Sequence, residues 1–291
     1  MQLEEPLEES APIAWRIAPE LCRKDTFGGE GCAFLHGFWQ CLRLMGLAAT
    51  PDRHRDFYEE ALGRVRGGSG PPRVLISGAA DYSMLAHALA AFRGRGIEPA
   101  FTVIDMCETP LHLNRWYADR VSCRIQTRSA SILDYAAPEP FDAICTHSIL
   151  GWFLRAQRPD LAAVWRRLLR PDGLLITVHP LRPSGADEPN RFDERQAQAL
   201  RAIVADNALR LAKILDADPQ DVRLRAERYL RARYGRPVRS REEVLSIFES
   251  AGFVVDELRC AAPAADGGAE IGGPGLRTPN VTYAHVIARR P

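Results

Sequence analysis

An apolar run, Arg73-Val74-Leu75-Ile76-Ser77, ends in the small-residue turn Gly78-Ala79-Ala80-Asp81-Tyr82. A second run, Phe101-Thr102-Val103-Ile104, ends in the lone carboxylate Asp105. Helical spacing fills the stretch between them. Two strands separated by a helix cannot pair as a hairpin, so they run parallel through a right-handed crossover. An acid closing the second strand of such a unit stands where it can grip ribose hydroxyls. The turn keeps only one glycine, although close backbone approach and φ > 0 are what alanine resists.

The alternation continues downstream. Strand-like runs at 73–77, 100–105, 122–126, 141–146 and 173–179 interleave with helical patterns at 82–93, 110–119 and 157–170. This order predicts an α/β core around a parallel sheet. It breaks at 181–237, a mostly helical insertion with helices over 191–216 and 221–234. A helix from Arg241 stopped by Gly252, a strand over 253–260, a glycine-rich loop over 264–275 and a strand over 281–289 complete the chain. Two last strands with no helix between them predict an antiparallel pair at the sheet edge. Ahead of the core, Gly67-Gly68-Ser69-Gly70-Pro71-Pro72 is a linker by composition. Residues 13–66 read as helices, with Phe34, Phe38, Leu42 and Met45 on one face, and residues 1–12 read as disordered. The expected domains are a helical lid over 1–70 and a nucleotide-binding domain over 71–291 that carries the insertion at 181–237.

Composition narrows the partners. A formal charge of +1 over 291 residues sets up no field for nucleic acid or membrane. The basic face of 223–233 therefore reads as a solvated helix face, and no nucleic-acid partner is expected. The seven cysteines include no C-x-x-C pair. Cys107, Cys123 and Cys145 lie on or beside apolar runs, which suits reduced thiols packed as small hydrophobes. A zinc set of Cys22, Cys32 and Cys41 is the alternative, and no metal is expected. No apolar run approaches the roughly 20 residues that span a bilayer. The acidic start lacks a signal peptide's pattern, so a cytoplasmic protein without a membrane partner is expected. A homodimer stays open.

Residues 70–290 resemble the class I S-adenosylmethionine (SAM) dependent methyltransferases. The resemblance rests on the turn at Gly78, the acid at Asp105, and Phe141-Asp142-Ala143-Ile144 as a fourth strand. Leu168-Leu169-Arg170-Pro171-Asp172-Gly173-Leu174 looks like the family's L-L-x-P-G-G approach to strand five, and Ala251-Gly252-Phe253 like its A-G-F before strand six. It implies a Rossmann-like core with a seven-stranded sheet, last strand antiparallel, and SAM as cofactor. Gly78 and Ala79 would lie beneath the methionine portion, Asp105 would accept from both ribose hydroxyls, and Met106 would pack on the adenine. Ser131, with Ile132 beside it, falls where the family's adenine-binding acid stands; either its hydroxyl or Asp134 takes that role. Asp81 would meet the α-amino group or cap the following helix, and Tyr82 would pack near the methionine end.

After strand four come His147 and Ser148, which the resemblance points at the reactive sulfonium. His147 is a candidate general base, its ordinary pKa being about 6.5, or a structural histidine bonded to backbone. His179 is a further candidate. Trp15, Phe34, Phe38, Trp39, Tyr58 and Trp152 offer aromatic faces for a sulfonium or a core for the lid. The family's N-P-P-Y signature is absent, which argues against base methylation in nucleic acids. Lid and insertion together predict a closed pocket, hence methylation of a small molecule, of the specialised-metabolism kind. Two other readings stand beside it. In one, SAM is itself the substrate, cyclised to azetidine-2-carboxylate with loss of methylthioadenosine. In the other, the chain binds SAM without catalysis, against which Asp105 counts.

Overall fold

In the computed structural model, residues 3–26, 29, 31–68, 70–183, 189–264 and 267–291 are described. Strand β1 (Arg73–Ser77) is apolar on both faces because helices cover both, as in other parallel sheets. It lies inside a seven-stranded sheet with β2 (Ala100–Asp105), β3 (Ile125–Ser129), β4 (Phe141–His147), β5 (Leu169–Leu181), β6 (Val254–Ala261) and β7 (Thr282–Arg289). The order is β3-β2-β1-β4-β5-β7-β6. The first five strands are parallel, and β7 runs antiparallel between β5 and β6. The expected edge pair therefore exists, with the last strand turned inward.

Alternate residues of each strand feed two cores. Val74, Ile76, Val103, Cys145 and Ile176 face α3 (Arg55–Gly63), α4 (Ser83–Arg93) and α5 (Glu108–Arg120). Leu75, Ile144, Leu175 and Val286 face α6 (Arg158–Leu168) and α9 (Arg241–Ser250). Trp165 on α6 is fully buried and donates its indole N–H to Ser77 Oγ at 3.0 Å, so even the polar residue closing β1 is satisfied.

A third core belongs to the helices outside the sheet. Trp15 of α1 (Leu7–Leu21) and Phe34, Phe38 and Leu42 of α2 (Ala33–Leu44) pack with Leu200, Val204 and Leu211 of α7 (Glu194–Leu215). Val222 and Tyr229 of α8 (Pro219–Ala232) join them. The N-terminal helices and the insertion thus share one apolar cap. Gly37 permits a close approach within it, since a Cβ there would stand 3.1 Å from Ala18 Cβ and 2.9 Å from the Arg225 guanidinium. That guanidinium lies 3.5 Å from the Trp15 ring centroid and donates to the Trp15 carbonyl. In α3, by contrast, Phe57, Tyr58 and Leu62 pack into the core on one sheet face.

Three expectations need correction. Residues 7–12 are helical, because Ala11, Ala14, Trp15 and Ala18 form a buried stripe that the acidic surroundings mask. The third strand starts at Ile125, since Cys123 still donates to the Ala118 carbonyl to close α5 and Ser122 is left-handed (φ 52°). Strand β5 begins at Leu169, opposite Phe141, with a bulge around the left-handed Asp172 before pairing resumes at Leu174. Among the described residues, no helix is long and apolar enough to cross a membrane.

Candidate ligand-binding site

The carboxyl ends of β1, β2, β4 and β5 open into a cavity of about 670 Å³ beneath the helical cap. That size falls within the ~300–1,000 Å³ typical of small-molecule sites. Gly78, which ends β1, takes φ +76°, and a Cβ there would stand 2.5 Å from Ile149 Cδ1. Neither Ala79 nor Ala80 has a positive φ, so the one glycine kept in this turn is the one its backbone demands.

Asp105 is held as a rigid acceptor. Its Oδ2 accepts from the Ala79 amide at 3.0 Å and its Oδ1 from the Cys107 amide at 2.8 Å. Each carboxylate oxygen keeps a second lone pair for a ligand hydroxyl. Burial pushes the acid up to about 6, while His36 and the two amide donors pull the other way. Met106, next in sequence, is 45% exposed and lines the same wall. Ser131 and Ile132 also line it, whereas Asp134 does not. The Ser131 hydroxyl accepts from the Leu133 amide at 3.2 Å, capping the short turn Ile132–Asp134.

Packing selects the capping role of the two expected for Asp81 and moves Tyr82 from its expected place. The Asp81 carboxylate lies in the cavity wall, but Arg43 donates to it at 2.8 Å, Gln40 at 3.1 Å and the Ser83 amide at 2.8 Å. It caps the helix start and neutralises an arginine, so no ligand ammonium is needed to satisfy it. Tyr82 is turned away from the cavity. It is fully buried, stacked on Tyr117 (4.7 Å, 4°), with its hydroxyl 3.1 Å from Ser10 Oγ. Gln40 and Arg43, one helical turn apart on α2, were invisible as site residues because their partner lies 38 or more positions away.

At the end of β4 the polar groups are buried and partly unpaired. Among the described residues His147 Nε2 and Ser148 Oγ have no hydrogen-bond partner, nor do Trp39 Nε1 and His179 Nδ1, all on residues that line the cavity. Buried polar atoms are rarely left so, and here a polar ligand would satisfy them. Ser148 is also left-handed (φ 55°), a strain typical of binding sites. Burial holds His147 well below its usual range, at about 3, helped by repulsion from His285 and His87. It is thus a neutral imidazole at neutral pH. His179 is likewise held neutral by burial, with Nε2 2.9 Å from Thr177 Oγ1.

Arg182 and Arg233 line the cavity farther along, beyond β5. Arg182 donates to the Gly273 carbonyl and Thr278 hydroxyl; Arg233 donates to the Tyr234 carbonyl and lies 3.9 Å from the Trp152 ring centroid. Among the described residues neither faces a carboxylate, and burial lowers both pKa values. Of the candidate aromatics, Trp39 and Trp152 line the cavity, whereas Trp15, Phe34 and Phe38 build the cap core and Tyr58 sits behind His147. The zinc alternative does not assemble as expected: Cys41 lies in the cap core, while Cys22 and Cys32 meet His36 and Cys107.

No protein-family model matches the chain, and no curated protein matches its sequence. Solved structures do match its fold. The S-adenosylmethionine-dependent methyltransferase SibL superposes over 98% of this chain and 70% of its own, with a TM-score of 0.51 at 16% identity. The [4+2]-cyclase SpnF superposes over 82% of this chain and 80% of its own, with a TM-score of 0.52 at 15% identity. Taken with the strand order, these similarities show that the chain has the Rossmann-like, seven-stranded fold of the class I S-adenosylmethionine-dependent methyltransferases.

Proposed function

We propose that this protein is a SAM-dependent methyltransferase whose acceptor is a small molecule carrying an anionic group. One observation carries the reading. Sheet order lines up Asp105 and Met106, then His147 and Ser148, then Arg182 along a single cavity. When bound, SAM supplies an electrophilic methyl carbon on a sulfonium. Asp105 would accept both ribose hydroxyls, Met106 would cover the adenine, and the cap would exclude water. His147 Nε2 would accept the hydrogen bond of the acceptor's hydroxyl or amine and take its proton as the new bond forms. A weakly basic imidazole suffices for a hydroxyl, because that proton turns strongly acidic once the oxygen bonds to methyl. Arg182, half-buried, and Arg233, buried, line the cavity as cations that pair with no carboxylate among the described residues, and would bind the acceptor's carboxylate or phosphate.

A second reading is favoured by one contact. Because Arg43 and Gln40 occupy Asp81, no carboxylate at this turn holds the ligand's α-amine as an ammonium. A neutral amine can attack its own γ-carbon, forming the C–N bond as the γ-carbon–sulfur bond breaks and the proton passes to His147. Incubation of the purified protein with SAM alone, followed by mass spectrometry, decides between them. Intact SAM leaves methyl transfer, and acceptors with and without carboxylates are then screened for S-adenosylhomocysteine formation. Methylthioadenosine without an acceptor means that SAM is the substrate. Failure of SAM to bind at all by calorimetry removes both readings.

A further inference from the structure

Three thiols and an imidazole from distant parts of the chain meet at one buried point beside Asp105. Cys22 follows α1, Cys32 precedes α2, His36 lies one turn into α2, and Cys107 sits between β2 and α5. All are at most 6% exposed. Cys107 Sγ lies 3.5 Å from both Cys22 Sγ and Cys32 Sγ, and His36 Nδ1 lies 3.4 Å from Cys22 Sγ. All four donor atoms fall within 4.8 Å of one another.

We infer that Cys22, Cys32, His36 and Cys107 form a structural zinc site. A tetrahedral zinc with bonds of ~2.3 Å to sulfur and ~2.0 Å to nitrogen has edges of ~3.8 Å between sulfurs and ~3.5 Å between sulfur and nitrogen. The observed separations are close to those edges. A disulfide needs sulfurs ~2.0 Å apart and pairs only two of three thiols, leaving the third and the imidazole unexplained. Four protein donors leave no open coordination position, which marks the site as structural. Thr109 Oγ1, 3.1 Å from Cys22 Sγ, is placed to donate to a thiolate, as the outer partners of metal ligands do. The Cys32-x-x-x-His36 pair shares one face of a helix, and the other two ligands are reached only by folding.

The site has a structural consequence for the cavity. Three ligands belong to the N-terminal helices and their connection, and the fourth is the residue whose amide holds Asp105. Zinc would therefore clamp the cap to the strand end that presents the ribose-binding acid.

Metal content tests this without reference to SAM. The full chain, purified without chelators from zinc-supplemented cells, is expected to carry one zinc per molecule by plasma mass spectrometry. Cobalt substitution is expected to give tetrahedral ligand-field bands together with intense thiolate-to-cobalt charge transfer. Cys32→Ser and Cys107→Ser should each lose the metal, while Cys41→Ser and Cys260→Ser retain it. Absence of zinc after supplementation, or a Cys22–Cys107 disulfide in its place, overturns the inference. So does a cobalt spectrum without thiolate bands, which needs no variant and decides the matter if the serine variants fail to fold.

Discussion

The Tyr58 hydroxyl lies 2.9 Å from the Thr146 carbonyl and 3.1 Å from Nδ1 of His147. A phenol has one proton, and the carbonyl can only accept, so that proton goes to Thr146. The phenol oxygen then accepts from Nδ1–H of His147, which leaves the lone pair on Nε2, the nitrogen without a partner among the described residues. Tyr58 is thus a positioning residue that selects the tautomer facing the cavity. Tyr58→Phe should lower turnover of SAM about 10-fold, in line with losing one oriented hydrogen bond, and leave SAM affinity unchanged. Nitrogen-15 spectra of the imidazole should show a single Nδ1–H tautomer in the wild type and a mixture in the variant. A single tautomer in both would remove this role from Tyr58.

His147 belongs to a group of histidines that burial keeps neutral, with loss of stability in acid as the result. His54 Nδ1 lies 3.0 Å from His285 Nε2, and the His54 ring is 5.5 Å from that of His147. Their pKa values are pulled down to about 2 for His54, 3 for His147 and 4 for His285, by burial first and then by repulsion from neighbouring histidines at His54 and His147 and from Arg259 at His285. Below about 6.5 the unfolded chain binds protons that the native state refuses. Stability is therefore fully present above pH 6.5 and falls as pH drops toward 4. Each histidine contributes about 2 kcal/mol of loss between pH 7 and 5. Asp105, held at about 6, opposes this by at most one proton. Urea midpoints at pH 7.5, 6 and 5 should fall steeply, and His285→Gln should flatten the slope by about one proton. A midpoint that does not change over this range would show that these rings are not buried as neutral groups.

Ligand affinity should depend on the turn and the acid separately. Asp105→Ala removes an acceptor of charge-assisted hydrogen bonds worth about 1.5–3 kcal/mol, so calorimetry should show SAM binding weakened roughly 10- to 150-fold. Gly78→Val forces a side chain into Ile149 at a positive φ and should cost about 1–3 kcal/mol of stability as well as affinity. SAM binding that survives both changes would place the ligand elsewhere.

The sheet was legible because its strands are near-continuous apolar runs and its helices keep a 3.6-residue period. Asp105 was legible for the same reason: it is where β2 ends. The first helix was hidden because Ala11, Ala14 and Ala18 give a weak apolar signal among glutamates and prolines. Tyr82 was misplaced because a single residue of phase at the start of α4 decides whether a side chain faces the cavity or α5. Arg43 and the Cys22–Cys107 meeting were beyond reach, since their partners come together only when the cap docks on the sheet.

That docking makes a last prediction. Arg43 and Asp81 are only 4% and 3% exposed, and their 2.8 Å pair ties α2 of the cap to the turn after β1. Arg43 also reaches Glu5 at 2.5 Å, which secures the start of the chain to the same point. A buried pair is costly to desolvate, but breaking it from one side is worse, because the remaining charge keeps its full desolvation penalty. Arg43→Met should thus destabilise the protein by about 3–5 kcal/mol, read from the urea midpoint. Asp81→Asn alone should cost less, since Arg43 keeps Glu5 as a partner. The double variant should recover most of the Arg43→Met loss, because no uncompensated charge remains at the turn. Simple additivity of the two losses would mean that the pair is not coupled, and that the cap is held down by its apolar core alone.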